Sequence, residues 1–158
     1  MNAVQDFLGY LQVERRASAH TLDAYRRDLA ALDAWATEQE GSAEGIDGAQ
    51  LRQFIAAEHR RGLAPKSLQR RLSACRSFYA WLLKHHRIAV SPAAGLKAPK
   101  APRKLPQVLD PDEAVRLVEL PTDAPLGLRD RALLELVYSS GLRLGELCAL
   151  IWRDLAFA

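Results

Sequence analysis

The chain is expected to be all-α, and three observations predict it. Apolar residues recur at spacings of three and four along nearly all of its 158 residues, no stretch alternates with period two for long, and capping residues sit where the pattern breaks. About half the residues are apolar (49%), enough to bury a core for one domain, or for one and part of another.

The first helix is expected over residues 3–15, burying Val4, Phe7, Leu8 and Leu11. Ser18 is a good N-cap for a second, which carries Leu22, Tyr25, Leu29, Leu32 and Trp35 inward before Gly41 and Gly45 close the region. Asp47 followed by Gln50 reads as a capping box for a third helix ending at Gly62. Pro65 then suits the first turn of a fourth, reaching about His86. At about 100° per residue, Leu68, Leu72, Cys75, Phe78, Tyr79 and Leu82 share one side of that helix. Lys66, Gln69, Arg70, Ser73, Arg76, Ser77 and Lys84 share the other, with Arg71 on the apolar edge.

Residues 59–104 contain twelve Lys and Arg and no Asp or Glu. Such a surface suits a polyanion, because cations that neutralise phosphates release condensed counterions; an ordinary solvated charged face is the alternative. Charge is unevenly divided: residues 1–104 carry 17 basic and 10 acidic side chains, residues 105–158 only 5 and 9. The boundary lies in residues 91–106, whose four prolines and four basic side chains read as a semi-stiff linker able to follow a phosphate backbone.

Asp110, Pro111 and Glu113 open a second helical unit as N-cap, first helical residue and capping-box partner. A helix over residues 126–140 has a broad apolar face, Leu133, Leu134, Leu136, Val137 and Tyr138, as expected for burial on several sides. Gly141 stops it, and a short helix with Leu144, Leu147, Leu150 and Ile151 follows. Between them stands Arg143, three residues before Glu146, at the spacing of a local ion pair.

Cys75 and Cys148 lie in helical patterns without metal-ligand spacing to any His, so both are expected to be free buried thiols in a reducing compartment. No membrane-length apolar run occurs, and the first residues lack a basic segment followed by an apolar one, which fits a cytoplasmic protein.

Gly141, Leu142 and Arg143, with the segment from Arg129 through Leu136 upstream, resemble the tyrosine recombinase (phage integrase) family. The likeness extends to Tyr10, Leu11, Val13, Glu14 and Arg15; to Ser18, Thr21, Tyr25 and Arg26; to Leu72, Ser73, Arg76, Ser77, Phe78, Trp81 and Leu82; and to Ala98, Pro99, Lys100, Leu105 and Pro106. The resemblance implies a SAM-like helical core-binding domain of about four helices at 1–90, a linker at 91–106, and at 107–158 the helical start of a catalytic domain. It implies duplex DNA as partner, and the expected contacts are Thr21, Tyr25, Arg26, Arg27, Lys66, Arg70 and Arg76 and, along the linker, Lys100 and Arg103; core packing is the alternative for Tyr25, and a solvated face with Asp23 and Asp28 nearby the alternative for Arg26 and Arg27. Arg143 matches the family arginine that contacts the scissile phosphate, and Glu146 would orient it; Gly145 departs from the family's usual small polar residue.

The family's reaction cuts and rejoins DNA through a 3′-phosphotyrosine without metal or other cofactor. It does so in a tetramer shared with a related recombinase, and at cell division a DNA translocase of the septum is a further implied partner. The reaction needs a tyrosine nucleophile, a lysine, a His-x-x-Arg pair and a further His or Trp downstream of Arg143. None of the fifteen residues after Arg143 is Tyr, Lys or His, and no His in the chain has Arg three positions later. The chain is therefore expected to be an N-terminal portion that binds DNA without cutting it, with Leu147, Leu150, Ile151, Trp152 and Phe157 partly exposed. A non-catalytic helical DNA-binding regulator and a helical protein-interaction module remain alternatives.

Overall fold

A computed structural model describes residues 2–97, 105, 108–119 and 126–154, which fall into two units, Met1–Arg103 and Lys104–Ala158. Every regular element among the described residues is helical.

In the first unit α1 spans Ala3–Val13, α2 Ala19–Glu38, α3 Gly48–Arg60 and α4 Pro65–Lys84. Each of the first three opens on a side chain that satisfies amide groups the helix leaves unpaired. Asn2 accepts from the Val4 amide at 2.9 Å, and Ser18 from the Thr21 amide at 3.2 Å. Asp47 accepts from Ala49 and Gln50, while the Gln50 side chain accepts from the Asp47 amide at 2.9 Å, completing the expected capping box. Pro65 opens α4 without a side-chain cap. Gly62, at φ +87°, turns the chain between α3 and α4 in the left-handed region where other residues are strained.

Helix α4 is the central element, packing on α1, α2 and α3. Leu68, Leu72, Cys75, Phe78, Tyr79 and Leu82 are fully buried, as the helical angles predict. Leu29, Leu32 and Trp35 of α2, Phe7 of α1, and Leu51 and Phe54 of α3 meet them. The Tyr79 hydroxyl donates to the Ala43 carbonyl at 2.8 Å, pinning the loop between α2 and α3, and its burial pushes the phenol above its usual range. Burial, reinforced by the nearby Asp28 carboxylate, pushes the Cys75 thiol up to about 12, so it stays protonated and inert.

The structure differs from the sequence expectations at four places. Asp28 is 1% exposed rather than on a solvated face with Arg26 and Arg27. Residues 91–97, expected as the start of an extended linker, pack on the first unit: Ala93 and Leu96 are buried, and the Ala94 amide closes a turn on the Ser91 carbonyl at 3.1 Å. Two apolar residues spaced by three outweighed the extended preference of Pro92. Cys148 is exposed, because no residue of its short helix is buried. Helix α6 (Gly127–Ser140) buries only Gly127, leaving Leu133 and Tyr138 exposed and Leu134, Leu136 and Val137 half-buried, since α5 (Pro111–Glu119) is the one helix that packs closely on it among the described residues.

In the second unit α5 spans Pro111–Glu119, α6 Gly127–Ser140 and α7 Leu144–Ala149, followed by a 3-10 turn at Trp152–Asp154. Asp110 and Glu113 exchange the two hydrogen bonds of the expected capping box, at 2.8 and 3.0 Å. Gly141 ends α6 at φ +67°, its amide returning to the Val137 carbonyl at 2.9 Å. Ile151 and Trp152 are exposed and Leu147 and Leu150 half-buried; Phe157 lies outside the described residues.

Candidate nucleic-acid interface

The first turns of α2 and the middle of α4 enclose a groove of about 300 Å³ lined by His20, Thr21, Ala24, Tyr25, Asp28, Arg70 and Ser73. Tyr25 also borders a second hollow of about 270 Å³, which continues along α4 past Ser77, Trp81 and Lys84 to Arg15. The Tyr25 hydroxyl lies 3.2 Å from Ser77 Oγ, so the ring is held between α2 and α4. Lys66, Arg70, Ser73, Ser77 and Lys84 follow one another at three, four or seven residues along α4, which places them on one strip of the helix.

Beneath this strip lies a charge network. Asp28 accepts from Arg70 Nη1 and, at 3.3 Å, from Arg71 Nε; Arg71 Nη1 is paired in turn with Glu58, which also accepts from Arg61 at 3.1 Å. The Asp28 and Glu58 side chains are 1% and 8% exposed, Arg71 12% and Arg70 46%. Two buried carboxylates are thus matched by Arg71 alone at depth, and Arg70 reaches from the network into the groove. Arg71, expected on the edge of the apolar face, is the centre of this arrangement.

The acid-free stretch is therefore partly neutralised from elsewhere in the chain. Arg61, Arg70, Arg71 and Arg87 are paired with Glu58, Asp28, Glu44 and Asp6. Hydrogen bonds to Glu44 and then Asp6 raise the pKa of Arg87 and fix its charge. Among the described residues, Arg60, Lys66, Arg76, Lys84 and Lys97 have no carboxylate partner, and Lys84 stands 6.0 Å from the Tyr10 ring centre.

Thr21, Tyr25 and Arg70, expected as contacts from sequence, meet in the first groove, and Lys66 lies one turn before Arg70. Arg26 and Arg27 are exposed but turn back on α2: Arg26 pairs with Asp23 at 2.6 Å, and Arg27 donates to the Asp23 carbonyl at 3.2 Å. Arg76 does not belong to the strip; its guanidinium donates to the Leu96 carbonyl and anchors residues 91–97. Lys100 and Arg103 lie outside the described residues. Sequence reasoning missed Asp28 as a site residue and left Lys84 and Arg15 out of the candidate set. The signal was a charged residue on the apolar edge of each of two helices, Asp28 on α2 and Arg71 on α4.

In the second unit Arg143 is the N-cap of α7 and its side chain is 85% exposed. Glu146 holds it twice, accepting from the Arg143 amide at 2.8 Å and from Nη1 at 3.0 Å. The fork of the guanidinium keeps free donors for a second, bidentate acceptor. No group of three His, Cys, Asp or Glu among the described residues is arranged to hold a metal ion, and no described helix is long and apolar enough to cross a membrane.

Residues 4–86 match the phage integrase N-terminal SAM-like domain, and residues 107–158 match the phage integrase family. A tyrosine recombinase XerC of Xanthomonas campestris pv. campestris is 78% identical over 157 residues, covering 98% of this chain and 48% of the relative. XerC of Xylella fastidiosa (strain 9a5c) is 69% identical over 94% of this chain and 51% of its own length. XerC of Pseudomonas aeruginosa (strain LESB58) is 49% identical over 94% and 50%. The chain thus spans about half the length of the curated relatives it matches. An integrase from mycobacterium phage Brujita shares the fold, with a TM-score of 0.59 and 17% identity over 90% of this chain and 46% of that one. Two domain matches in order and high identity along nearly the whole chain place it in the phage integrase, or tyrosine recombinase, family.

Proposed function

We propose that this chain grips duplex DNA as the core-binding half of a XerC-type site-specific recombinase. The observation that carries the reading is the meeting of Thr21, Tyr25 and Arg70 in one groove, on a strip where Lys66 and Lys84 have no carboxylate partner among the described residues. Cations fixed on a packed helix track a phosphate backbone, and a tyrosine and a threonine beside them supply hydrogen bonds to sugar and phosphate oxygens. Arg26, Arg27 and Arg76 contribute charge from the margins, and Lys100 and Arg103 carry the grip along the linker. The domains are then residues 1–90 for the clamp, 91–106 for the connection and 107–158 for the start of the catalytic part, with residues 91–97 docked on the clamp.

Arg143 is assigned to the scissile phosphate. A fixed guanidinium stabilises charge on two non-bridging oxygens in a way lysine cannot, and Glu146 keeps it oriented. Cutting and rejoining through a 3′-phosphotyrosine is assigned to the whole recombinase, acting in the cytoplasm with a XerD-like partner in a heterotetramer and a septal DNA translocase, to resolve chromosome dimers at cell division. No cofactor enters this chemistry. The share of that activity assigned to the first unit is DNA binding.

Replacing Lys66 and Lys84 together by glutamine is the test, since both are exposed and neither holds the core. Binding to duplex should weaken by a similar factor for different sequences, and the log–log salt slope should become shallower by about 2. Unchanged affinity and slope would move the interface off this face.

A further inference from the structure

The geometry points to Asp28 as a positioning residue for DNA binding: a buried carboxylate that aims Arg70 into the groove. This rests on the DNA reading above and goes beyond it. Asp28 is acidic and 1% exposed, and it lines the groove where a phosphate is expected to approach. On charge alone it should weaken anion binding. Its geometry gives the opposite result.

Arg70 is 46% exposed, and an arginine so placed on a helix surface would ordinarily sample many rotamers. Here Nη1 donates to Asp28 and lies 3.4 Å from the Ala24 carbonyl, so one nitrogen of the fork is fastened to α2. Nε and Nη2 make no protein hydrogen bond among those of the described residues and remain available for an acceptor in the groove. Asp28 is itself held, because its other oxygen accepts from Arg71 at 3.3 Å and Arg71 is anchored by Glu58. The chain Glu58, Arg71, Asp28, Arg70 thus transmits rigidity from the core to a surface guanidinium. Orienting the fork before binding reduces the entropy lost when it clamps a phosphate.

The test is a double-mutant cycle on the whole chain, with affinity for a fluorescent duplex measured at one low salt concentration. Thermal melts establish that every variant is folded at the assay temperature. Asp28→Asn keeps the shape and removes a negative charge, yet is expected to weaken binding by about tenfold, the loss expected when a hydrogen bond to a charged group is no longer made in the right geometry. Arg70→Gln should lose a similar factor, and the double variant should bind no worse than Arg70→Gln alone, because Asp28 acts only through Arg70. Should Asp28→Asn fail to fold, Arg70→Lys gives the result, since it keeps the charge and loses the fork: it should fall to the level of Arg70→Gln.

Asp28→Asn binding as tightly as the parent chain, or more tightly, overturns the positioning role and leaves the DNA reading standing. Losses that multiply in the double variant also overturn it, by showing a structural effect. Arg70→Lys at full affinity does the same. Failure of the parent chain to bind any duplex removes the DNA reading itself, and Asp28 with it.

Discussion

Arg71→Met is expected to lower the unfolding free energy of the first unit by about 3–5 kcal/mol, the cost of leaving buried charge without its partner. Arg71 lies between Asp28 and Glu58, whose side chains are 1% and 8% exposed. Its removal leaves Asp28 with Arg70, which is 46% exposed, and Glu58 with Arg61, which is 63% exposed. Neither can compensate at depth, because each is already paired there and its side chain is 46% or more exposed to water. Arg61→Met removes the same charge from the rim and should cost no more than about 1 kcal/mol. Urea denaturation followed by far-UV circular dichroism measures both. An Arg71→Met midpoint matching that of Arg61→Met would mean that the network is not a structural keystone.

Phe7→Ala should cost a similar amount, about 3–5 kcal/mol. Phe7 is 1% exposed, and its ring centre lies 5.6 Å from those of Phe78 and Trp81 and 6.2 Å from that of Tyr25. It is therefore the point at which α1, α2 and α4 share one aromatic cluster, and rings at these separations and tilts add to simple area burial. Loss of the ring leaves a void that the surrounding helices cannot close without moving the Tyr25 ring. Val13→Ala, on the same helix but 75% exposed, should change stability by less than about 0.5 kcal/mol. If Phe7→Ala unfolds at the same urea concentration as Val13→Ala, α1 is peripheral rather than part of the core.

The helices were legible in the sequence because their signals are local. Asn2 apart, the caps at Ser18, Asp47 and Asp110, the proline at 65 and the glycines at 62 and 141 act within a few residues of themselves, and the structure puts them where the spacing does. The buried face of α4 was equally plain, since angle alone decides it. What could not be read locally were pairings between helices. Asp28 and Arg71 are 43 residues apart, and only their meeting explains why a charge stands on the apolar edge of each helix. Arg76 looked like one more member of a basic strip, but its guanidinium answers a carbonyl at Leu96, twenty residues on. Cys148 and the broad face of α6 read as buried because composition says what would be buried if something covered it, not what does so.

The candidate site divides in the same way. Thr21, Tyr25 and Arg70 were named from sequence and share a groove, whereas Asp28, which fastens Arg70, needed the fold. The functional meaning of the acid-free stretch is accordingly narrower than its composition suggests. Several of its cations hold the domain together, and fewer face outward than the sequence contains.

Whether those that remain suffice to grip DNA is measured most directly by duplex affinity across a salt series. With four to six phosphates neutralised, log affinity should fall against log salt concentration with a slope of about −4 to −5. An affinity that stays flat from about 50 to 200 mM salt would contradict a phosphate-gripping surface on this chain.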